Sequence, residues 1–327
     1  VFGKPKAHPH VLGTTSSCNL IHRAMSSNLS KRLGKRLWQR RLSVESSEKH
    51  LAKNRILVAP PPLHPNSFIN YFLKGTGLLP TAQRQFMEPI LEQNSFQIPG
   101  LPSPLDGFTI LHLTDLHIEL EPALAPIIVK NIKALAYDLC VITGDLQHAF
   151  DAADKATNLL QPILKTINTP VYAVPGNHDT TKIITQLEVA GLPFLLNEHI
   201  PINHNGANFH LCGIDDPIYF RTHDLQKARQ GLCAQDITLL LSHAATTAEK
   251  ANALDYTLQL SGHTHGGQLC LPGGIPIVKG STPRQRVKGP WHHQRLLGYT
   301  SRGIGASHIP ARLFCSPEIT LHTLLKG

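Results

Sequence analysis

Phe108-Thr109-Ile110-Leu111-His112-Leu113 is followed at once by Thr114-Asp115-Leu116-His117. A short apolar run of this kind, partly β-branched, reads as a buried strand, and the polar residues then fall just past its carboxyl end. The arrangement recurs downstream. Residues 139–143 lead into Gly144-Asp145-Leu146, and 171–174 into Pro175-Gly176-Asn177-His178-Asp179. Further on, 237–241 lead into Ser242-His243, and 257–260 into Ser261-Gly262-His263-Thr264-His265-Gly266-Gly267-Gln268. Residues 209–214 form one more apolar run. Between the first three runs lie 124–136 and 152–167, long enough for crossover helices, so the domain opens as βαβαβ with parallel strands. The later runs follow one another more closely, which predicts a second, mixed sheet. Strand carboxyl ends in an α/β fold converge on one crevice, so these polar residues are expected to meet.

Each cluster has a mechanical reason to hold a cation. Asp115 and His117 are one residue apart, so in an extended segment both side chains project to the same face. Asp145 has two carboxylate oxygens and can bridge two ions, offsetting their repulsion. Asn177 adds a neutral oxygen, which leaves the site positive enough to attract phosphate. His263 and His265 repeat the one-apart spacing in a Gly-flanked loop, free to turn the imidazoles toward different ions. Carboxylate, amide oxygen and imidazole together suit Mn, Fe or Zn, and the lack of cysteine argues against a structural zinc site. Singly, these motifs have ordinary readings as turns, helix caps or solvated loops. Their conjunction, each after a strand, points to a dinuclear centre.

On Asp115-Leu116-His117, Gly144-Asp145, Gly176-Asn177-His178-Asp179, His243 and Gly262-His263-Thr264-His265, the sequence resembles the calcineurin-like metallophosphoesterase superfamily over residues 106–327. The resemblance implies a four-layer αββα sandwich of two mixed β-sheets flanked by helices, and two divalent metal ions, Mn before Fe or Zn. It implies that one ion takes Asp115, His117, Asp145 and His265, and the other Asp145, Asn177, His243 and His263. Residues 262–268, with Gly213-Ile214-Asp215-Asp216-Pro217 and Ser301-Arg302-Gly303-Ile304-Gly305, further resemble a bacterial phosphodiesterase branch that includes UDP-2,3-diacylglucosamine pyrophosphatases of lipid A synthesis. Two departures bear on substrate. His243 is followed by Ala244-Ala245 where a proline often stands nearby, and Gln147-His148 has no reading from sequence.

The expected chemistry is attack of a metal-bound hydroxide on phosphorus, in line with the departing oxygen of a phosphodiester or pyrophosphate. His178 and Asp179 are the candidate catalytic residues: His178 to stabilise charge or protonate the leaving group, Asp179 or another carboxylate to orient its ring. Arg302 and Asn177 are the candidate substrate contacts, although Arg302 reads equally well as a salt-bridged structural arginine. Asp215-Asp216 reads as a turn that shapes the cleft rather than a third metal site.

The 327 residues carry a formal charge of +9, and its distribution is uneven. Residues 1–55 hold twelve Lys/Arg against Glu45 and Glu48, whereas the remainder is at −1. Basicity therefore belongs to an N-terminal arm and says nothing about the substrate of the body. A nuclease would need a basic groove with stacking aromatics, which a body at −1 does not suggest. A scaffold that had lost catalysis would be expected to lack a ligand or His178, and all are present.

Three regions follow: a basic, largely disordered arm over 1–55, a proline-rich linker with accessory helices over 56–105, and the phosphoesterase domain over 106–327. In the arm, Leu29, Leu33, Leu37 and Leu42 recur at helical spacing beside Trp38, with Lys and Arg on the other faces. This predicts a short basic amphipathic helix over 29–42, offered as an anchor on an anionic membrane surface. Two short helices are expected between 67 and 96, on either side of Gly75-Thr76-Gly77. The cysteines are scattered without a CxxC pair, which fits a reducing compartment, and no run of about 18 apolar residues occurs. Arg40-Arg41 lacks the apolar segment that a twin-arginine signal requires. The expected place is the cytoplasm, with peripheral contact at the inner face of the membrane.

Overall fold

The computed structural model describes residues 29–55, 71, 73–277 and 282–327. Its N-terminal half runs α1 (Leu29–Leu33), α2 (Lys35–Arg55), α3 (Leu79–Phe86), β1 (Ile90–Ile98), β2 (Thr109–Leu113), α4 (Leu124–Lys133), β3 (Leu139–Ile142), α5 (Ala153–Thr166), β4 (Val171–Ala173) and α6 (Thr181–Val189). There follow β5 (Glu198–His204), β6 (Ala207–Gly213), α7 (Leu225–Ala228), β7 (Thr238–Leu241), α8 (Ala248–Ala253), β8 (Leu258–Ser261), β9 (Cys270–Leu271), β10 (Ile275–Pro276), β11 (Gly289–His293), β12 (Leu296–Thr300) and β13 (Glu318–Lys326).

The six expected strand runs are β2, β3, β4, β6, β7 and β8, and they form the centres of two mixed sheets. The first has the order β1-β13-β2-β3-β4, with β2, β3 and β4 parallel and β13 antiparallel to β2. The second has the order β11-β12-β8-β7-β6-β5, its four inner strands parallel and both edge strands antiparallel.

Alternation along the strands builds the layers. In β3, Leu139 and Val141 pack toward the second sheet, while Cys140 and Ile142 pack with Ile128, Leu160 and Ile183 of α4, α5 and α6. In β7, Leu239 and Leu241 point inward and Leu240 outward, against Leu225 of α7 and Ala248 and Ala251 of α8. The result is αββα. With about 1.5–3 kcal/mol per fully buried aliphatic side chain, the shared inter-sheet layer is strong enough to fix the register that aligns the strand ends.

A polar pair sits inside that layer. His112 Nδ1 lies 3.3 Å from His322 Nε2, with Thr143 Oγ1 2.8 Å from the other nitrogen of His112 and Asn94 Nδ2 3.3 Å from that of His322. Burial pushes His112 down to about 3 and His322 well below the usual histidine range, so both rings are neutral.

The N-terminal helix differs from the expected anchor. It breaks at Gly34, whose φ of +79° suits glycine, and then continues to Arg55 rather than ending at 42. Leu29 and Leu33 are buried in the core over the first sheet, and Leu37 and Trp38 pack against it. Arg32 pairs with Glu188 and Glu198, and Arg41, 1% exposed, pairs with Asp215 and lies 4.1 Å above the Phe220 ring. Glu45 accepts from the amide and hydroxyl of Thr181 at 2.8 and 2.9 Å. Most of the stripe offered to a membrane is thus covered by the protein itself, Leu42 staying exposed, and acids fixed on the domain give Arg32 and Arg41 their partners.

A second correction concerns residues 90–98. They form edge strand β1 rather than helix, in register with β13 from Ile90 opposite Glu318 to Ile98 opposite Lys326. Their partner is a strand more than two hundred residues away, beyond any local pattern. The arm over 1–28 and the linker over 56–70 lie outside the described residues. Among the described residues, no helix is long and apolar enough to cross a membrane.

Candidate metal centre

Five of the seven expected ligands have left-handed backbone: Asp115 (φ 51°), His117 (40°), Asp145 (54°), His263 (73°) and His265 (50°). Each such residue costs about 1–3 kcal/mol and persists only where its surroundings impose it. Here they do, since Asp115 N donates to Gly144 O at 2.9 Å and His117 N to Asp145 O at 3.0 Å. The chain turns sharply past each strand end and aims the side chain across the crevice.

The side chains meet in two groups. In the first, His265 Nε2 is 3.4 Å from Asp115 Oδ1 and 3.3 Å from His117 Nε2. In the second, His243 Nε2 is 3.0 Å from Asn177 Oδ1 and 3.3 Å from Asp145 Oδ2, with a nitrogen of His263 within 4.8 Å of both His243 and Asp145. The same Asp145 Oδ2 is 3.5 Å from His117 Nε2, so one carboxylate touches both groups.

Ring orientation leaves the inner nitrogens free to bind. A carbonyl only accepts, so His117 Nδ1 donates to Gln147 O at 3.1 Å and His243 Nδ1 to Thr143 O at 2.8 Å, which turns each Nε2 lone pair inward. Burial holds His117 and His265 well below the usual histidine range and His263 at about 4. His243 goes the other way. Burial opposes its charge, but Asp145, Asp115 and Asp216 push it up to about 10. Carboxylates that draw a proton onto a buried imidazole are equally a site for cations, and convergent carboxylate, amide and imidazole donors fit divalent ions.

The sequence model of the calcineurin-like phosphoesterases matches residues 108–267. The metallophosphoesterase YkoQ of Bacillus subtilis is 30% identical over 238 residues, 70% of this chain and 87% of that one. This chain belongs to the calcineurin-like phosphoesterases. YkuE of the same organism is 27% identical over 253 residues, covering 73% of this chain and 88% of that one. A protein named phosphodiesterase YaeI, from Escherichia coli, is 30% identical over 233 residues, 67% and 82% of the two chains. As a calcineurin-like phosphoesterase, the chain is a metal-dependent phosphoester hydrolase.

The remaining expected residues divide. His178 stands at the centre, its ring 4.8 Å from that of His117, and its amide donates to Asp145 Oδ1 at 2.9 Å. Its Nδ1 donates to the carbonyl of His148 at 2.6 Å. Asp179 therefore does not orient that ring. Its buried carboxylate accepts from the amides of Asp145, Leu146 and Gly176 at 2.8–2.9 Å, tying two ligand loops together. The guanidinium of Arg302 takes the salt-bridge reading, with Glu318 and Glu92, because buried Glu318 requires a cation. Asp216 accepts from the amides of Ile218, Tyr219 and Phe220, which confirms a turn.

Three residues at the site escaped the sequence reading. Gln147 donates from its side chain to the His178 carbonyl at 2.9 Å, and the His148 ring stacks on His178 at 4.9 Å. Their place two and three residues after Asp145 was the available signal. Arg312, fully buried, donates to the carbonyls of His265 at 3.1 Å and Arg302 at 2.7 Å. It lies in irregular chain seven residues past Gly305, outside every motif, and nothing local marks it.

Proposed function

We propose that the protein hydrolyses a phosphodiester or pyrophosphate bond with His178 as proton donor. One observation carries the reading: a single Asp145 oxygen touches both donor groups, and His178 stands beside it with Nδ1 already committed to a carbonyl. Two divalent cations held by Asp115, His117, Asp145 and His265, and by Asp145, Asn177, His243 and His263, would polarise the phosphoryl oxygens and acidify a water. Four imidazoles and three oxygen-donor residues make a mixed set suited to Mn, Fe or Zn, and we favour Mn on the resemblance of the ligand motifs.

When protonated, His178 keeps its Nδ1 proton on His148 O and presents the Nε2 proton to the departing oxygen or the equatorial phosphoryl oxygens. Asn177 turns its oxygen toward His243, which leaves its amide hydrogens for the substrate. A second substituent on phosphorus is supported by the name of the E. coli relative. It is supported too by the half-buried rings of Phe150 and Tyr219, 5.9 Å apart, with Phe150 6.5 Å from His178. A lipid-linked nucleotide such as UDP-2,3-diacylglucosamine is the finest form of this reading and rests on the resemblance of residues 262–268, 213–217 and 301–305.

The test is a screen of Mn-loaded protein against bis(p-nitrophenyl) phosphate, p-nitrophenyl phosphate and UDP-2,3-diacylglucosamine. Higher kcat/KM on the diester or the pyrophosphate is expected. Preference for the monoester would overturn the proposal.

A further inference from the structure

Among the described residues, nine large apolar side chains are exposed, and four gather in one place: Leu271 (53%), Ile275 (49%), Ile277 (61%) and Phe314 (42%). Scattered exposed aliphatics are ordinary, but a contiguous group marks an interaction surface. β9 and β10 pair antiparallel with Ile275 opposite Leu271, and Ile277 N donates to the Leu269 carbonyl. Alternation therefore places Leu271, Ile275 and Ile277 on one face of the hairpin. Phe314 lies in the adjoining segment, where Cys270 N donates to Leu313 O at 2.9 Å. Leu269 and Leu313 pack with Leu73 and Ala82 in a small core, so the hairpin is anchored at its base while its tip stays bare.

The chain around it is mainly basic, with Glu88 after α3 and Glu249, paired to Arg286, as flanking acids. Residues 256–317 contain seven Lys/Arg and no Asp/Glu, and residues 56–87, which include α3, contain no Asp/Glu either. Arg286, Arg295, Arg302 and Arg312 are engaged within the protein. Arg284 and Arg84 are exposed, and Lys288 sits at the hairpin turn, donating to Gly274 O at 2.6 Å. Phe314 N donates to Gln85 at 2.9 Å, which brings α3 and its arginine to the same side.

We propose that this hairpin docks the protein on an anionic phospholipid bilayer, the aliphatic tip entering the headgroup region and the cations beside it meeting lipid phosphates. An exposed apolar tip beside a mainly basic stretch of chain suits a lipid surface, where area burial and charge attraction act together. The hairpin leaves the metal loop directly, with Cys270 Sγ 3.5 Å from Gly266 O, next to His265. Docking brings the centre to the bilayer surface, whichever phosphoester is cleaved.

The experiment is co-sedimentation of the full chain with vesicles of phosphatidylcholine, with and without phosphatidylglycerol. Two variants are compared: a hairpin triple, Leu271→Ser with Ile275→Ser and Ile277→Ser, and an α1–α2 triple, Lys31→Glu with Lys35→Glu and Arg36→Glu. Wild type is expected to bind vesicles containing phosphatidylglycerol, more weakly as salt rises. The hairpin triple should lose about a hundredfold in partitioning. Its hydrolysis of soluble bis(p-nitrophenyl) phosphate should stay within about twofold, as for surface changes. Absence of wild-type binding, or loss only in the α1–α2 triple, would overturn the proposal. So would a wild-type dimer that the hairpin triple disperses, since the face would then belong to a second copy.

Discussion

Arg41 and Asp215 form a buried ion pair 174 positions apart, and the same guanidinium donates to the carbonyl oxygen of Asp179. The N-terminal helix is thereby fastened to the loop that carries Asn177 and His178. Removing one partner of such a pair leaves an uncompensated buried charge.

Arg41→Ala is therefore expected to cost about 3–5 kcal/mol of stability, read as a lowered urea midpoint at unchanged slope. Adding Asp215→Asn should recover part of the loss, because the stranded carboxylate is then gone. Additive losses in the cycle would show that the pair does not couple the helix to the domain.

Asp145→Ala should bind neither metal tightly and show no metal-dependent turnover, since one oxygen serves both donor groups. His178→Gln should retain metal and slow turnover by about 10²–10⁴-fold, as for loss of a general acid, most severely with poor leaving groups. Metal content by atomic emission separates the two variants. An equal fall in both would remove the distinction between ligand and proton donor.

Gly176→Ala tests the packing behind the centre. A Cβ there would stand 2.2 Å from Asp145 Oδ1 and 2.5 Å from Asp145 N, so the carboxylate must move. Metal affinity should fall about 10–100-fold, as for loss of a group supporting a ligand, with unchanged far-ultraviolet circular dichroism. Wild-type affinity would mean that the bridging geometry tolerates displacement.

Stability should fall on acidification through the window set by His112, from the ordinary histidine value of 6.5 toward about 3. The folded form holds this ring and that of His322 neutral while the unfolded chain binds protons, so the stabilisation is complete above the unfolded value and lost as pH drops. Each histidine contributes a slope of about 1.4 kcal/mol per pH unit inside the window. His322→Gln should flatten the dependence in urea unfolding series, and an unchanged slope would contradict the assignment.

The convergence of seven polar side chains past strand ends, the six core strands and the two-sheet class were legible because each rests on local pattern. A strand's apolar run and the polar residue that ends it are neighbours in sequence, and the α/β rule about strand ends then brings distant clusters together. What only the tertiary structure decided are partnerships that no local window encodes. Residues 90–98 became a strand because β13 offers an edge. The basic helix docked because Glu188, Glu198 and Asp215 wait on the domain. Arg302 turned to Glu318 and Glu92, and the orientation of His178 fell to a backbone carbonyl rather than to Asp179. A charged side chain or an unpaired strand edge is satisfied by whichever partner the packed layers bring within reach, and that geometry exists only after the layers have formed.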